Sequence, residues 1–440
     1  MGRERPWIWP PKRSGCIVGA SSDAAVRQRQ TRIQNRNFIV NVMDGAFYSF
    51  GLAFITQQTL LPVFVKKIGG GNIAIGLIPV LWMLGFNLPQ ILIASQVQGL
   101  RLKKRFFLKT SLFQRLPWLL MALLCWFILG RVSPAAGVLL FLALFTAAAV
   151  AGSINLPVWF DLLAKVTPVV WRGRLFALRL ILGGILGIVA GIVAKKLLEI
   201  IAFPANFGLL FLLAFAAMMA SWAFLTLLKE PRGRIEKAPV QLGEYLRSLP
   251  GILRGERNYR HFLIADALQY LAVMANAFFT VHALAKFSLH DSAAGIFTAI
   301  MMASTIAGTL FFGYLADHHG QRINLCVSAL CMAVACGLAL VARSIGVYYL
   351  VFVASALAAA LTQISRLPII AEFCSEAQRP TYIALASLIS TPFILAGIAG
   401  GWLVNRFGYE ILFILAGCFA LLALTWLLLM VHEPRRISQD

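Results

Sequence analysis

Long apolar stretches separated by short polar ones run along almost the whole chain, beginning near Phe38. Twelve of these stretches have about 20 residues or more, the length that an α-helix needs to cross the hydrocarbon core of a bilayer. They cover residues 38–65, 73–98, 106–130, 135–157, 175–198, 205–228, 261–286, 291–316, 322–343, 346–370, 380–405 and 409–431. The pattern therefore predicts an all-α membrane protein with twelve transmembrane helices.

The polar interruptions divide the chain into two halves. Residues 229–260 form the one sizeable break in the apolar pattern, and six segments lie on each side of it. We expect residues 37–228 to form an N-terminal six-helix bundle and residues 261–432 to form a C-terminal one. The break itself is basic and amphipathic, which is typical of a linker lying on an anionic membrane surface on the cytoplasmic side.

The two ends of the chain are polar. Residues 1–36 are rich in arginine, glutamine, serine and proline, so they predict a mostly disordered cytoplasmic tail. A short surface helix near residues 24–35 is compatible with that prediction. Residues 433–440 form a second predicted cytoplasmic tail.

Composition and charge agree with a membrane protein. Hydrophobic residues make up 60% of the chain and charged residues 13%, against about 25% charged residues in an average soluble protein. The net charge of +22 comes from lysines and arginines in short clusters between the apolar stretches, which does not indicate a nucleic-acid partner. The clusters are concentrated in the two tails and in every second loop. By the positive-inside rule, we expect both termini to lie in the cytoplasm and the protein to lie in the cell (inner) membrane.

A compact motif occupies the polar turn between the eighth and ninth segments. Gly313, Asp317, Gly320 and Arg322 follow the spacing Gly-x-x-x-Asp-x-x-Gly-x-Arg. This turn resembles the signature loop of the major facilitator superfamily, which lies on the cytoplasmic side between helices 8 and 9. The resemblance covers residues 38–432, and it implies two six-helix bundles that rock about a central site and expose it alternately to each side.

Weak sequence matches between the two halves indicate an internal repeat. The matched residues are Arg36-Asn37 with Arg257-Asn258, Asp44 and Tyr48 with Asp266 and Tyr270, Gly99 and Arg101 with Gly320 and Arg322, and Pro157 and Asp161 with Pro368 and Glu372. The first copy of the signature loop has no aspartate at the position of Asp317. If that carboxylate takes part in gating, only the second half contains the gating carboxylate.

Further charged residues follow the fourth and tenth segments. Asp161 precedes Arg172 and Arg174, and Glu372 precedes Arg379. We expect cytoplasmic ion pairs between each acid and the basic residues after it. The superfamily resemblance implies that such pairs take part in gating.

Two carboxylates lie inside apolar segments. Asp44 and Asp266 each come about two helical turns into the first segment of a half. Intramembrane carboxylates are costly and often functional, so both are candidates for binding a coupling proton or a cationic group. Alternatively, both stay hydrated near the interface and pair with Arg36, Arg257 or Arg260.

The other candidate site residues are polar side chains within the segments, and they are Asn87, Gln90, Arg179, Asn276 and Gln363. Arg179 and Arg366 lie near segment ends and could hold an anionic group, although such arginines more often extend to the interface. No arginine pair is apparent deep in the helices, so the sequence favours neither a dianion nor a polycation as substrate.

These features together predict a secondary active transporter that moves a small solute with a coupling proton. The sequence has no Walker, zinc, haem or nucleophile-elbow pattern, so we expect a monomeric non-enzyme without a cofactor. Efflux of small amphiphiles or drugs and uptake of a metabolite such as a sugar both remain open. So do two other functions, a non-transporting membrane scaffold or assembly factor of the same fold and a lipid translocator.

Overall fold

All regular structure is α-helical or a short variant of it in the computed structural model, which describes residues 18–98, 103–231, 255–375 and 378–434. The helices are α1 (Val18–Ala53), α2 (Leu60–Lys67), α3 (Asn72–Gln98), α4 (Lys103–Leu123), α5 (Pro134–Val166), α6 (Val169–Ile200), α7 (Ala205–Thr226), α8 (Arg257–Ala272), α9 (Phe279–Lys286), α10 (Ala293–His319), α11 (Gln321–Val341), α12 (Ile345–Glu372), α13 (Arg379–Ile394), α14 (Ala396–Phe407) and α15 (Tyr409–Met430). The predicted all-α class is confirmed.

Ten helical segments among the described residues are long and apolar enough to cross a membrane. The two other predicted segments correspond to α1 with α2, and to α3. Many large apolar side chains face outward, among them Phe113 and Phe311, which are 66% and 67% exposed. Exposed apolar surface on this scale requires a hydrocarbon surrounding, so the helices form a multi-pass membrane protein.

The first and seventh predicted segments are broken at corresponding places, which the apolar pattern does not reveal. Residues 54–59 separate α1 from α2, and residues 273–278, beginning with a 3-10 turn, separate α8 from α9. In the first break, the Thr56 hydroxyl accepts a hydrogen bond from the Leu60 backbone N–H at 3.3 Å. That bond satisfies one of the free N–H groups at the start of α2.

Helix boundaries differ from the prediction in two places. α1 begins at Val18, so the helix contains the predicted surface helix near residues 24–35 and runs without a break into the first segment. The polar stretch after the fourth segment is also helical, and only Thr167 and Pro168 separate α5 from α6. A residue before proline is driven out of the helical conformation, and Thr167 is accordingly extended with φ −121° and ψ 121°.

Glycines bring the two halves into backbone contact at one end of the bundle. We call this end the far side, and we call the opposite end, where α4 begins and α7 and α15 end, the tail side. A methyl group added at Gly191 of α6 would lie 2.7 Å from the Gly295 carbonyl oxygen of α10. One added at Gly397 of α14 would lie 2.5 Å from the Gly76 carbonyl oxygen of α3. Only glycine permits such close approach of helix backbones.

Polar contacts also join the halves on the far side. Lys67 forms a 2.7 Å ion pair with Asp291, and Asn72 donates to Asn405 at 2.9 Å. In the interior, the hydroxyls of Thr59 and Thr298 lie 2.6 Å apart. The halves are therefore fastened to each other at this end of the molecule.

On the tail side, each half closes on itself through the same set of hydrogen bonds, which we call the clasp. In the N-terminal half, the Asn37 side chain donates to the Lys229 carbonyl at 2.9 Å and accepts from the Lys229 N–H at 3.0 Å. In the C-terminal half, the Asn258 side chain exchanges two 2.9 Å hydrogen bonds with the His432 backbone. Each clasp ties the first helix of a half to the end of its last helix.

The residue after each clasp caps another helix of the same half. Glu230 accepts hydrogen bonds from the backbone N–H groups of Lys103 and Lys104 at 3.0 and 2.9 Å. Glu433 accepts one from the Arg322 N–H at 3.1 Å. A carboxylate at a helix N-terminus satisfies free N–H groups and interacts favourably with the helix dipole. In these contacts Lys103 and Lys104 take the place that Arg322 has in the C-terminal half, whereas Arg101 lies outside the described residues.

We expect Asn37→Ala to lower the free energy of unfolding by about 1–3 kcal/mol, because it removes two hydrogen bonds and leaves backbone groups of Lys229 unpaired. Thermal unfolding in detergent would measure the change. Asn35→Ala is the matched control, since Asn35 is exposed on the same helix. Equal melting temperatures for the two variants would contradict a stabilising role for the clasp.

Candidate functional site

A cavity of about 680 Å³ lies between the halves, and most of its wall comes from the C-terminal half. Gln58, Met83 and Phe160 contribute to it from the N-terminal half. The wall is largely apolar, with amide groups from Gln269, Asn276 and Gln363. A mostly apolar wall with a few polar groups is typical of a small-molecule site.

Asp266 forms the charged centre of this cavity wall. The residue is 4% exposed, and both carboxylate oxygens accept from the Arg366 guanidinium at 2.8 Å. The Ser390 hydroxyl adds a third hydrogen bond at 2.7 Å, and the Tyr270 ring lies 5.4 Å from the guanidinium carbon. A two-point arginine–carboxylate pair fixes geometry as well as charge.

Asp44 occupies the corresponding place in the N-terminal half, beside a cavity of about 300 Å³. It is 3% exposed and accepts from Arg179 at 2.9 Å and from the Ser221 hydroxyl at 2.7 Å. The Trp159 ring lies 4.9 Å from the Arg179 guanidinium carbon. The two halves thus carry matching buried aspartate–arginine pairs.

These pairs correct the alternative drawn from the sequence. The partners of Asp44 and Asp266 are Arg179 and Arg366, not arginines at the interface. Neither arginine extends to the interface, since each side chain is only 14% exposed. Arg36, one of the expected partners, donates instead to the Leu227 carbonyl at the end of α7.

Arg115 is a buried basic residue that the sequence analysis missed. It is 2% exposed in α4 and donates to the backbone carbonyls of Met218 and Ser111 at 2.8 Å each. Its guanidinium also lies 3.3 Å from the Ser221 hydroxyl that bonds Asp44. A lone arginine between Gln114 and Leu116 inside an apolar stretch was the available signal.

Arg115 changes the charge of the N-terminal cavity. The described lining contains the guanidinium groups of Arg115 and Arg179 but only one carboxylate, that of Asp44. One positive charge is therefore in excess where solvation is poor. The expectation that no two arginines lie deep in the helices was wrong.

The remaining candidate side chains divide between the cavity and the undescribed region. Asn276 is 8% exposed, and its carbonyl oxygen has no hydrogen-bond partner within the described structure. Gln363 is exposed to the large cavity. Asn87 and Gln90 lie in α3, but their side chains fall outside the described residues.

The signature turn packs against the end of α15. Gly320 has a φ of +92°, a conformation that favours glycine, and an added methyl group there would collide with the Glu433 carboxylate. Arg322 donates to the carbonyls of Leu427 and Leu428 at 3.0 and 2.7 Å, which stabilises the α15 C-terminus. Gly313 lies in α10 with open space around it.

Three other residues of the predicted gating loops fall partly or wholly outside the described structure. Asp317 lies in α10 with its side chain outside the described residues, and Gly99 and Arg101 lie outside them entirely. Glu372 ends α12 and Arg379 begins α13.

Asp161 differs from its predicted pairing. It pairs with Lys103 at the start of α4 rather than with Arg172 or Arg174. Arg172 donates to the Ala164 carbonyl at 2.9 Å, and Arg174 is exposed. Because α5 continues to Val166, these arginines lie in the first turns of α6 instead of in a loop that could fold back.

Comparison with known proteins agrees with the fold. Residues 262–440 match the family model of the Major Facilitator Superfamily. No curated protein matches the sequence at a significant level.

Several solved transporters share this architecture at low identity. A POT family transporter in complex with 5-aminolevulinic acid has a TM-score of 0.70 and 11% identity, covering 91% of this chain and 96% of its own. A mutant of the nucleoside transporter NupG has a TM-score of 0.69 and 14% identity, covering 91% and 100%. A D-xylose–proton symporter has a TM-score of 0.68 and 16% identity, covering 92% and 99%. Identities this low show the shared fold alone.

Proposed function

We propose that this chain is a secondary active transporter of the Major Facilitator Superfamily, whose family model matches residues 262–440, and that it moves a small solute by alternating access with a coupling proton. The observation that carries the proposal is the pair of buried aspartate–arginine clusters beside cavities at the centre of the two halves. Burying four charged groups in a membrane protein is costly. Because matching clusters occur in both halves, we infer that they share a functional role and are not accidental results of helix packing.

The tail side is the cytoplasmic side in this proposal. The bias of lysine and arginine toward the tails and alternate loops supports that orientation. With the far side held closed by its glycine contacts and by the Lys67–Asp291 ion pair, the cavities belong to an inward-facing arrangement. Transport would require the far-side contacts to separate while the tail side closes.

Coupling would act through the Asp266–Arg366 pair. Protonation of the carboxylate removes its charge and weakens both hydrogen bonds to the guanidinium, because charge-assisted bonds are the stronger ones. Arg366 is then free to interact with a substrate group in the 680 Å³ cavity. Asp44 and Arg179 offer the same chemistry in the other half.

The cavity walls favour an amphiphilic substrate. Apolar side chains such as Val273 and Met332 provide contact area, and Asn276 offers an acceptor oxygen that no described residue pairs with. The excess positive charge at Arg115 favours a substrate that is neutral or carries one negative group over a cation. Small amphiphiles fit this description better than a sugar, whose many hydroxyls need more hydrogen-bonding partners.

Purified protein in proteoliposomes with a trapped pH-sensitive dye tests the proposal. Screening metabolites and drugs should identify a compound that drives proton movement, and Asp44→Asn and Asp266→Asn should abolish that movement. Failure of every compound to move protons or to enter the vesicles would contradict transport. That result would favour the scaffold function.

The signature turn offers a separate prediction about gating. We expect Asp317→Asn to slow transport several-fold with little loss of protein from the membrane, since a gating carboxylate acts on the conformational change rather than on folding. Initial rates of uptake, normalised to membrane protein, measure it. Unchanged transport would remove the turn from the mechanism.

A further inference from the structure

A separate cavity of about 570 Å³ lies at the tail side of the N-terminal half, away from the aspartate–arginine clusters. α1, the junction between α5 and α6, and the segment after α7 enclose it. We call it the junction cavity. Four basic residues line it, and they are Arg29, Lys165, Arg172 and Lys229.

Two hydrogen-bond donors at the junction cavity have no partner among the residues that the structure describes. Thr167 is 3% exposed, and its hydroxyl has no partner within the described structure, nor does the buried Nε of Arg172. Unsatisfied buried polar groups cost about 1–3 kcal/mol each. A ligand rich in acceptor atoms would relieve both.

The start of α6 adds a third source of donors. This 32-residue helix begins at Val169 after Pro168, and no side chain in the described part of the chain caps its free N–H groups. An uncapped helix N-terminus attracts anions through those groups and through the helix dipole. Arg172 lies in the first turn of the same helix, so both features face the same region.

Glu230 is the one acidic residue in the described lining, and its oxygens are already engaged. They accept from the backbone N–H groups of Lys103 and Lys104 and from the Lys165 ammonium at 3.1 Å. Four cations against one carboxylate leave the cavity lining with three positive charges in excess. An anion is therefore the favoured occupant.

Apolar surface borders the cavity. Val169 lines the cavity and Val170 follows it in the chain, and they are 72% and 81% exposed. An anion attached to a hydrocarbon chain would contact both the basic lining and the exposed valines. A free ion would contact only the basic lining. Basic residues at a membrane surface attract anionic lipids, and the basic groups of the cavity lining would do the same.

We propose that the junction cavity binds the phosphate group of an anionic phospholipid from the adjacent leaflet. The phosphate oxygens accept from Arg172, Thr167 and the start of α6, and the acyl chains lie along Val169 and Val170. Bound there, the lipid connects α1 to α6, the two helices that carry Asp44 and Arg179. This inference does not depend on the identity of a transported solute.

Native mass spectrometry of the purified full-length protein tests the proposal with three probes. These are phosphatidylglycerol, phosphatidylcholine with the same acyl chains, and inorganic phosphate. We expect phosphatidylglycerol to bind most tightly, and we expect Arg172→Gln to weaken its binding about tenfold, as loss of one charge-assisted hydrogen bond implies. Thr167→Val keeps the side-chain shape and should weaken binding about threefold, as loss of one neutral hydrogen bond implies.

Arg174→Gln is the matched control, because Arg174 is exposed two residues away and outside the cavity lining. It removes the same charge from the same helix and should leave lipid binding unchanged.

Equal weakening in Arg174→Gln and Arg172→Gln would overturn the site in favour of general surface charge. Wild-type binding in both Arg172→Gln and Thr167→Val, with unchanged melting temperatures, would overturn it as well. Inorganic phosphate binding as tightly as the lipid and lost in the same variants would overturn the lipid as the source.

Discussion

Asp266→Asn is expected to lower proton-driven accumulation of substrate by at least about 100-fold. Asparagine cannot exchange a proton, and it leaves Arg366 buried without its counter-charge. Breaking the ion pair costs about 3–5 kcal/mol of stability. Separately, loss of proton exchange removes the driving force for accumulation, roughly 2.7 kcal/mol for the 100-fold accumulation that about two pH units can support. Uptake into proteoliposomes at several imposed pH gradients measures the loss.

Two further variants separate coupling from folding. The double variant Asp266→Asn with Arg366→Gln removes both charges, so it should restore the melting temperature without restoring accumulation. Glu199→Gln, at an exposed acid near the end of α6, should behave as wild type. Accumulation that keeps its normal pH dependence in both Asp266→Asn and Asp44→Asn would exclude these carboxylates from coupling.

Gly295→Ala is expected to hold the far side open and to reduce transport about tenfold or more. The added methyl group would lie 2.5 Å from the Gly191 carbonyl oxygen, too close for α6 and α10 to keep their contact. Overpacking of this kind costs about 1–3 kcal/mol, which is enough to shift a two-state equilibrium by one or two orders of magnitude. The closed far side would lose population to the open one.

Cysteine labelling measures that shift directly. Thr298 is fully buried in the closed far side, so Thr298→Cys in a background without native cysteines should react slowly with a membrane-impermeant thiol reagent. Adding Gly295→Ala should speed the reaction at least about tenfold, in line with the same free-energy shift. Gly337→Ala is the control, because no described atom beyond its chain neighbours and its own helix backbone lies within 4 Å of a methyl group added there. Equal labelling rates in the two glycine variants would contradict a conformational role for the glycine contact.

The hydrophobic pattern alone was sufficient for the fold class, because a bilayer imposes one length and one polarity on every crossing helix. The prediction ran through the breaks at residues 54–59 and 273–278. The first break contains the polar run from Thr56 to Thr59, which is too short to end a long apolar segment, and the second is apolar apart from Asn276. The prediction also misplaced the boundary between α5 and α6. There the polar residues that ended the predicted segment are helical, and Pro168 decides the break.

The sequence analysis singled out Asp44, Arg179, Asp266 and Arg366 as candidates, but it did not show which of them meet. Asp44 and Arg179 are separated by 135 residues, and Asp266 and Arg366 by 100. Nothing in a single sequence shows which side chains meet across a bundle. Arg115 was missed for the opposite reason, because one charged residue scarcely changes the hydropathy of a long apolar stretch.

The clasp had a visible signal that the sequence analysis did not use. Lys229-Glu230-Pro231 and His432-Glu433-Pro434 share a Glu-Pro pair at the end of each half. The match of Arg36-Asn37 with Arg257-Asn258 had been noted, but its partner at the other end of each half had not. The Arg-Asn match at the start of each half and the Glu-Pro match at its end would together have indicated that each half closes on itself.

Because each clasp joins the two ends of its own half, neither half depends on the connecting chain to hold its first and last helices together. A chain divided between residues 231 and 255 would leave both sets of clasp hydrogen bonds intact. The protein could then be produced as two separate polypeptides that associate in the membrane through their glycine contacts. Each polypeptide would also bring its own aspartate–arginine pair already assembled.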